Sequence, residues 1–117
     1  MRISVKRVYA SVSDEDGYRV LVDRLWPRGI KKEEAAIDLW RKEIAPSAEL
    51  RKWFGHDPLK FDEFRRRYIK ELEQNPDMEQ FVKVLQHSGR AITLLYGAKD
   101  ELHNQAVILK EYLDALE

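Results

Sequence analysis

The chain contains no cysteine, and that absence removes disulfides, thiol nucleophiles, iron–sulfur clusters and cysteine-based zinc sites together. No apolar run approaches the roughly 20 residues needed to span a bilayer. The first residues, Met1-Arg2-Ile3-Ser4-Val5-Lys6-Arg7, lack the apolar stretch of a secretory signal, so a cytoplasmic protein is the simplest reading. Net charge is also missing: 21 basic residues balance 21 acidic ones. A protein that wraps nucleic acid gains affinity by neutralising phosphates and normally carries excess positive charge. Neutrality therefore disfavours that function, although a local basic patch is still compatible with it. There is no Walker A loop, no GxGxxG and no GxSxG elbow. His56, His87 and His103 are scattered, with no HExxH-like pair, so neither a metal nor a cofactor is expected.

What is present is a chain of 117 residues, 44% hydrophobic, which suits one globular domain with a single core. Alternation from Ile3 predicts a first strand running to about Ala10. Asp16-Gly17 is a turn dipeptide. Tyr18 to Asp23 is a β-branched, mostly apolar run of the kind found in a sheet covered on both faces. Lys31 to Lys42 favours helix in composition, with a break near Ile37 to Trp40. Ser47 reads as the N-cap of a short helix that Gly55 ends. Asp57-Pro58 opens the next helix, on which Phe61, Phe64, Tyr68 and Leu72 share a stripe. Asn75-Pro76 opens another, with Met78, Phe81, Val82 and Leu85 at helical spacing. Ala91 to Tyr96 is a second buried strand, and the chain is expected to be helical from about Glu101, with Leu102, Ala106, Leu109, Leu113 and Leu116 inward.

Strand, helices, strand, helix is the pattern of an α/β domain, a small, mainly parallel sheet flanked by helices. The first strand's partner stays open, because Ser11 to Gly17 is short for a parallel crossover and would also suit a hairpin. If the strands at Val20 and Ile92 are parallel, their carboxyl ends share an edge, where open α/β sheets bind ligands. The loop after the first offers Asp23, Arg24, Trp26 and Arg28; the loop after the second offers Tyr96, Lys99, Asp100, His103 and Asn104. Together they suit a small anion: a phosphate- or carboxylate-bearing metabolite. Arg24, Arg28 and Lys99 would hold it. Trp26, Tyr96 and Asn104 would line the site. Asp23 or Asp100 would orient the cations or act as base, and His103 would supply a proton near neutral pH. Each residue also has a purely structural explanation. Asp23 could pair with a neighbouring cation and stitch two loops together, and Asp100 could simply cap the last helix.

The string Val22-Asp23-Arg24-Leu25-Trp26-Pro27-Arg28-Gly29 is distinctive. So are Ala45-Pro46-Ser47, Trp53-Phe54-Gly55-His56-Asp57-Pro58, and Leu94 to Asp100 followed by His103-Asn104-Gln105-Ala106. In that order, over nearly the whole chain, they resemble the YeaO-like branch of the domain-of-unknown-function 488 family. The resemblance implies a compact α/β fold and a bacterial or archaeal cytoplasmic origin, and it implies no activity. Methyltransferase chemistry finds no support, because no glycine-rich loop is present to cradle its cofactor. Other branches tend to carry a Cys-His-Arg-like motif after the last strand. Here that region reads Lys99-Asp100-Glu101-Leu102-His103-Asn104, so thiol chemistry does not carry over.

Two rival functions remain at this level. One is a non-catalytic regulatory or protein-interaction module, which predicts an exposed apolar patch around Trp40 or Trp53 and edge loops closed by internal salt bridges. The other is RNA binding through Arg65-Arg66-Arg67 together with the edge arginines. Consecutive helical residues spread over different faces, however, and Glu71 and Glu73 follow, so a solvated face explains the run better.

Overall fold

A computed structural model describes all residues, 1–117. Four strands, β1 (Ile3–Arg7), β2 (Tyr18–Leu21), β3 (Leu39–Trp40) and β4 (Ile92–Tyr96), form one sheet in the order β1-β4-β2-β3. Every pairing is parallel: Val5 lies opposite Leu94, Val20 opposite Leu94, and Leu21 opposite Trp40. The central position of β4 follows from its sequence, since all five of its residues are buried. Edge strand β1 buries only Ile3.

The helices are α1 (Lys32–Ala35), α2 (Ala48–Phe54), α3 (Phe61–Gln74), α4 (Met78–His87) and α5 (Gln105–Ala115). Side chains alternate across a strand, and the two faces are finished differently. Val20, Ile92, Leu94 and Tyr96 enter the main core, where they meet Leu50, Phe54, Phe64, Tyr68, Phe81, Leu109 and others from α2 to α5. Leu21 and Leu95 point the other way, into a small cluster with Val8 that Trp26, Ile30 and Ile37 cover. One face thus carries helices, and the other is covered by connecting chain. On that second face Asp16 accepts from Arg19 at 2.5 Å and Lys6 at 3.0 Å. The Arg19 guanidinium also donates to the carbonyls of Ala35 and Ala36, at the end of α1.

Several local signals behave as their chemistry dictates. Ser47 Oγ caps α2 by accepting from the Leu50 N–H, and Gly55 closes it in the left-handed region. Phe61, Phe64, Tyr68 and Leu72 are buried on α3, and Met78, Phe81 and Leu85 on α4. The β1–β2 connection is a parallel crossover, not a hairpin, and β4 fills the gap it leaves. Ser13 and Asp16 cap each other within it, which folds the short segment into a tight turn. Gly17 then passes β4 at φ 67°, where a Cβ would stand 2.2 Å from the Ala91 carbonyl oxygen. The break near Ile37 to Trp40 is a third strand, bonded to β2 through Asp38 N–H to Arg19 O and Arg41 N–H to Leu21 O. The last helix begins at Gln105, capped by Asn104, four residues later than expected at Glu101. Leu102, which precedes this helix, and Leu116, which follows it at the C-cap, lie exposed.

Candidate functional site

The carboxyl ends of β2 and β4 lie side by side, and a cavity of about 440 Å³ opens there. Asp23 sits at its base. The Val22 N–H still bonds to the Leu95 carbonyl at 3.0 Å, so Asp23 is the first side chain free of the ladder. Its Oδ2 accepts from the Gly97 N–H at 2.9 Å, and its Oδ1 accepts from Gln105 Nε2 at 2.5 Å. Its backbone carbonyl accepts from Trp40 Nε1 at 2.8 Å. Burial pushes the Asp23 carboxyl above its ordinary value; the Gly97 N–H, the Gln105 amide and the charges of His56 and Arg51 oppose that rise. Both partners of Asp23 are neutral, and no ion pair reaches it.

Three arginines line the cavity, and they are held in different ways. Arg24 is committed: Nε donates to the Pro46 carbonyl at 2.9 Å and Nη2 to the Ala45 carbonyl at 3.2 Å. The same stretch is pinned by Tyr68, whose hydroxyl donates to the Ile44 carbonyl at 2.6 Å. Glu71 completes the fastening, accepting from Ser47 N–H at 2.9 Å and Ser47 Oγ at 2.7 Å. Arg28 and Arg51 line the same cavity, and both are exposed. Neither guanidinium engages a carboxylate or carbonyl of the chain. His56 stands beside them at φ 58°, a left-handed conformation costly for a residue with a Cβ.

The apolar walls come from both layers. Phe54 of α2 stacks on Phe64 of α3 with centroids 4.0 Å apart. Opposite them are Pro27 and Trp26, whose indole N–H is tied to the Ile30 carbonyl at 2.8 Å and whose ring meets Trp40 edge-on. Tyr9 adds to the rim, its hydroxyl donating to the Arg28 carbonyl at 2.8 Å.

Of the residues singled out in the sequence, Asp23, Arg24, Trp26, Arg28 and Asn104 meet around this cavity. The other four stand outside its wall. Tyr96 is buried in the main core, and burial raises its phenol. Lys99 is exposed at a loop tip. Asp100 Oδ1 accepts the N–H groups of Leu102 and His103, and its Oδ2 lies 2.9 Å from His103 Nδ1. Those donors, the Leu102 N–H above all, hold its carboxyl below the usual value. The His103 ring lies edge-on to Phe61 at 5.1 Å. Arg51, His56 and Gln105 are among the polar lining residues that the two edge loops did not bring forward in the sequence. Arg51 and His56 arrive from the helical layer, and only the packing of α2 brings them to the sheet edge. No three acidic or histidine side chains come close enough together to hold a metal.

Elsewhere the arginine run on α3 is neutralised by its own surroundings. Arg65 pairs with Glu111 at 3.0 Å, Arg67 pairs with Glu63 at 2.9 Å, and Arg66 also contacts Glu63. Trp53 lies beneath Arg67 and Lys60. No helix is long and apolar enough to cross a membrane.

The chain is 48% identical to the uncharacterized protein YeaO of Escherichia coli, an alignment that covers 99% of this chain and 100% of that protein. It is 39% identical to the uncharacterized proteins Rv3073c of Mycobacterium tuberculosis and Mb3100c of Mycobacterium bovis, over 97% of this chain and 94% of each. No solved structure matches it. Residues 2–116 match the model described as the inactive DUF488-N3 subclade, and the chain belongs to that family.

Proposed function

We propose that the cavity at the carboxyl edge of the sheet binds a small organic anion and holds it without turning it over. The observation that carries this reading is the pair Arg28 and Arg51. Both guanidinium groups border the cavity, and neither has a partner within the chain. A guanidinium offers a planar fork of donors that matches a carboxylate or phosphate in bidentate fashion. Arg24 adds a third positive charge, already oriented by the Ala45 and Pro46 carbonyls. The stacked rings of Phe54 and Phe64, with Trp26 and Pro27 opposite, suit the apolar body of an organic molecule.

Binding without turnover is supported by what the walls offer. They carry no serine, threonine or lysine, and the chain has no cysteine. The one carboxylate, Asp23, already accepts one donor of the fold on each oxygen. The description of the subclade as inactive agrees with this.

The test is calorimetry and thermal denaturation with phosphate, sulfate and short carboxylates on the native protein and on Arg28→Ala and Arg51→Ala. Saturable binding is expected, with each variant weakening it about tenfold, the scale of one charge-assisted hydrogen-bonded contact. Absence of saturable binding to every anion would overturn the reading, and so would identical affinities in all three proteins.

A further inference from the structure

We propose that the ligand is a zwitterion whose anionic group meets Arg28 and Arg51 and whose ammonium group meets Asp23. This deepens the reading of the cavity as an anion site and rests on it. The ammonium group is called for by the bonding of Asp23.

A carboxylate withdrawn from water is stable when charged partners and hydrogen bonds replace its hydration. Asp23 has one neutral donor on each oxygen, the Gly97 N–H and the Gln105 amide. An ionised carboxylate offers about four acceptor positions, so two are unfilled. Three arginines line the same cavity, yet none forms an ion pair with it: Arg24 is turned to the Ala45 and Pro46 carbonyls, Arg51 acts on it only through its charge, and Arg28 makes no hydrogen bond to it. The cavity therefore has two electrostatic ends, a cationic rim and a carboxylate at its base. A purely anionic ligand would satisfy the rim and be repelled by the base. A molecule carrying an ammonium group a few bonds from its phosphate or carboxylate satisfies both, with Asp23 receiving the charged donor that its own fold does not supply.

The experiment uses matched pairs on the native protein: O-phosphoethanolamine against ethyl phosphate, and β-alanine against propionate. Within each pair the anionic group is shared, and only the ammonium differs. The ammonium-bearing member of at least one pair is expected to bind about tenfold tighter or better, as one charge-assisted hydrogen bond at a half-buried site provides. In Asp23→Asn that advantage should vanish, while the affinity for the ammonium-free partner is kept or improved. Retained binding of the partner also reports that the variant is folded, and the native comparison stands if it is not. Equal affinity within both pairs overturns this inference and leaves the anion site standing, as does an advantage that survives Asp23→Asn. If no member of either pair binds, this inference is overturned, and the anion reading falls with it where phosphate and sulfate also fail to bind.

Discussion

Asp23 Oδ2 and the backbone N–H of Gly97 meet at 2.9 Å across the ends of the two central strands. A methyl group on residue 97 would stand 2.9 Å from that same oxygen, inside contact distance. Gly97→Ala must therefore displace a carboxylate that the Gln105 amide holds from the other side. The expected cost is about 1–3 kcal/mol, from overpacking together with a strained, partly buried hydrogen bond. Urea denaturation checks it. An unchanged midpoint would mean that Asp23 moves freely and that the base of the cavity is soft.

The three cavity arginines should separate by stability alone, with no ligand present. Arg24 secures two carbonyls of the Ala45-Pro46 stretch, so Arg24→Ala is expected to cost about 1–3 kcal/mol. Arg28 and Arg51 engage nothing in the chain, and alanine at either position should change stability by no more than about 0.5 kcal/mol. Comparable losses at all three positions would show that Arg28 and Arg51 have structural duties, and they would no longer serve as clean probes of binding.

Ser47 joins two elements at once. Its Oγ accepts the Leu50 N–H at the start of α2 and donates to Glu71 of α3 at 2.7 Å. Ser47→Ala removes both, and the loss should be about 1–2 kcal/mol, at the upper end for an N-cap. Ser47→Gly should not recover it, because glycine, like alanine, keeps the backbone N–H on Glu71 Oε1 but removes the hydroxyl from Oε2. A double-mutant cycle with Glu71→Gln separates the two contributions: a coupling near zero would mean that capping alone accounts for the loss.

How much of this was legible in the sequence depended on how local each cause was. The Ser47 cap, the Gly55 stop and the stripe from Phe61 to Leu72 are decided within a few residues, and they can be read directly. Strand β3 is the opposite case. Leu39 and Trp40 lie next to helix-favouring sequence and become a strand only because β2 offers its Arg19 and Leu21 carbonyls. Asp100 and Asn104 are both competent caps at the sequence level. Asp100 is drawn into a turn with Leu102 and His103, and the helix starts at the second cap. Asp23, Arg24, Trp26, Arg28 and Asn104 are legible at the cavity because loops that follow adjacent parallel strands must converge. Arg51 is not, because its place at the cavity is set by how α2 lies against α3. A basic residue one turn into a capped helix is too common a pattern to signal a site.

Asp16, on the sheet face covered by connecting chain, should make stability depend on pH. Burial works against its ionisation, but the Ser13 N–H, Lys6 and Arg19 outweigh that and hold its carboxyl below the ordinary value. Arg19 is 3% exposed. Asp16→Asn would leave that guanidinium buried without a counter-charge, so the variant should lose about 2–4 kcal/mol at neutral pH. In the unfolded chain Asp16 takes up a proton near its ordinary value of about 3.9, and in the folded protein only at lower pH. Between those points the unfolded state binds more protons, so this contribution is fully present above the ordinary value and is lost as pH falls through the folded one. Glu63 and Asp100, whose carboxyls are also held low, titrate alike in both proteins and cancel in the difference. Asp23, whose carboxyl is raised, has the opposite sign and cancels in the same way. Urea midpoints of native protein and Asp16→Asn from pH 7 down to pH 3 should therefore converge on acidification. A gap that stays constant would mean that the Asp16 charge contributes nothing to holding Arg19, and that its hydrogen-bonding shape alone matters.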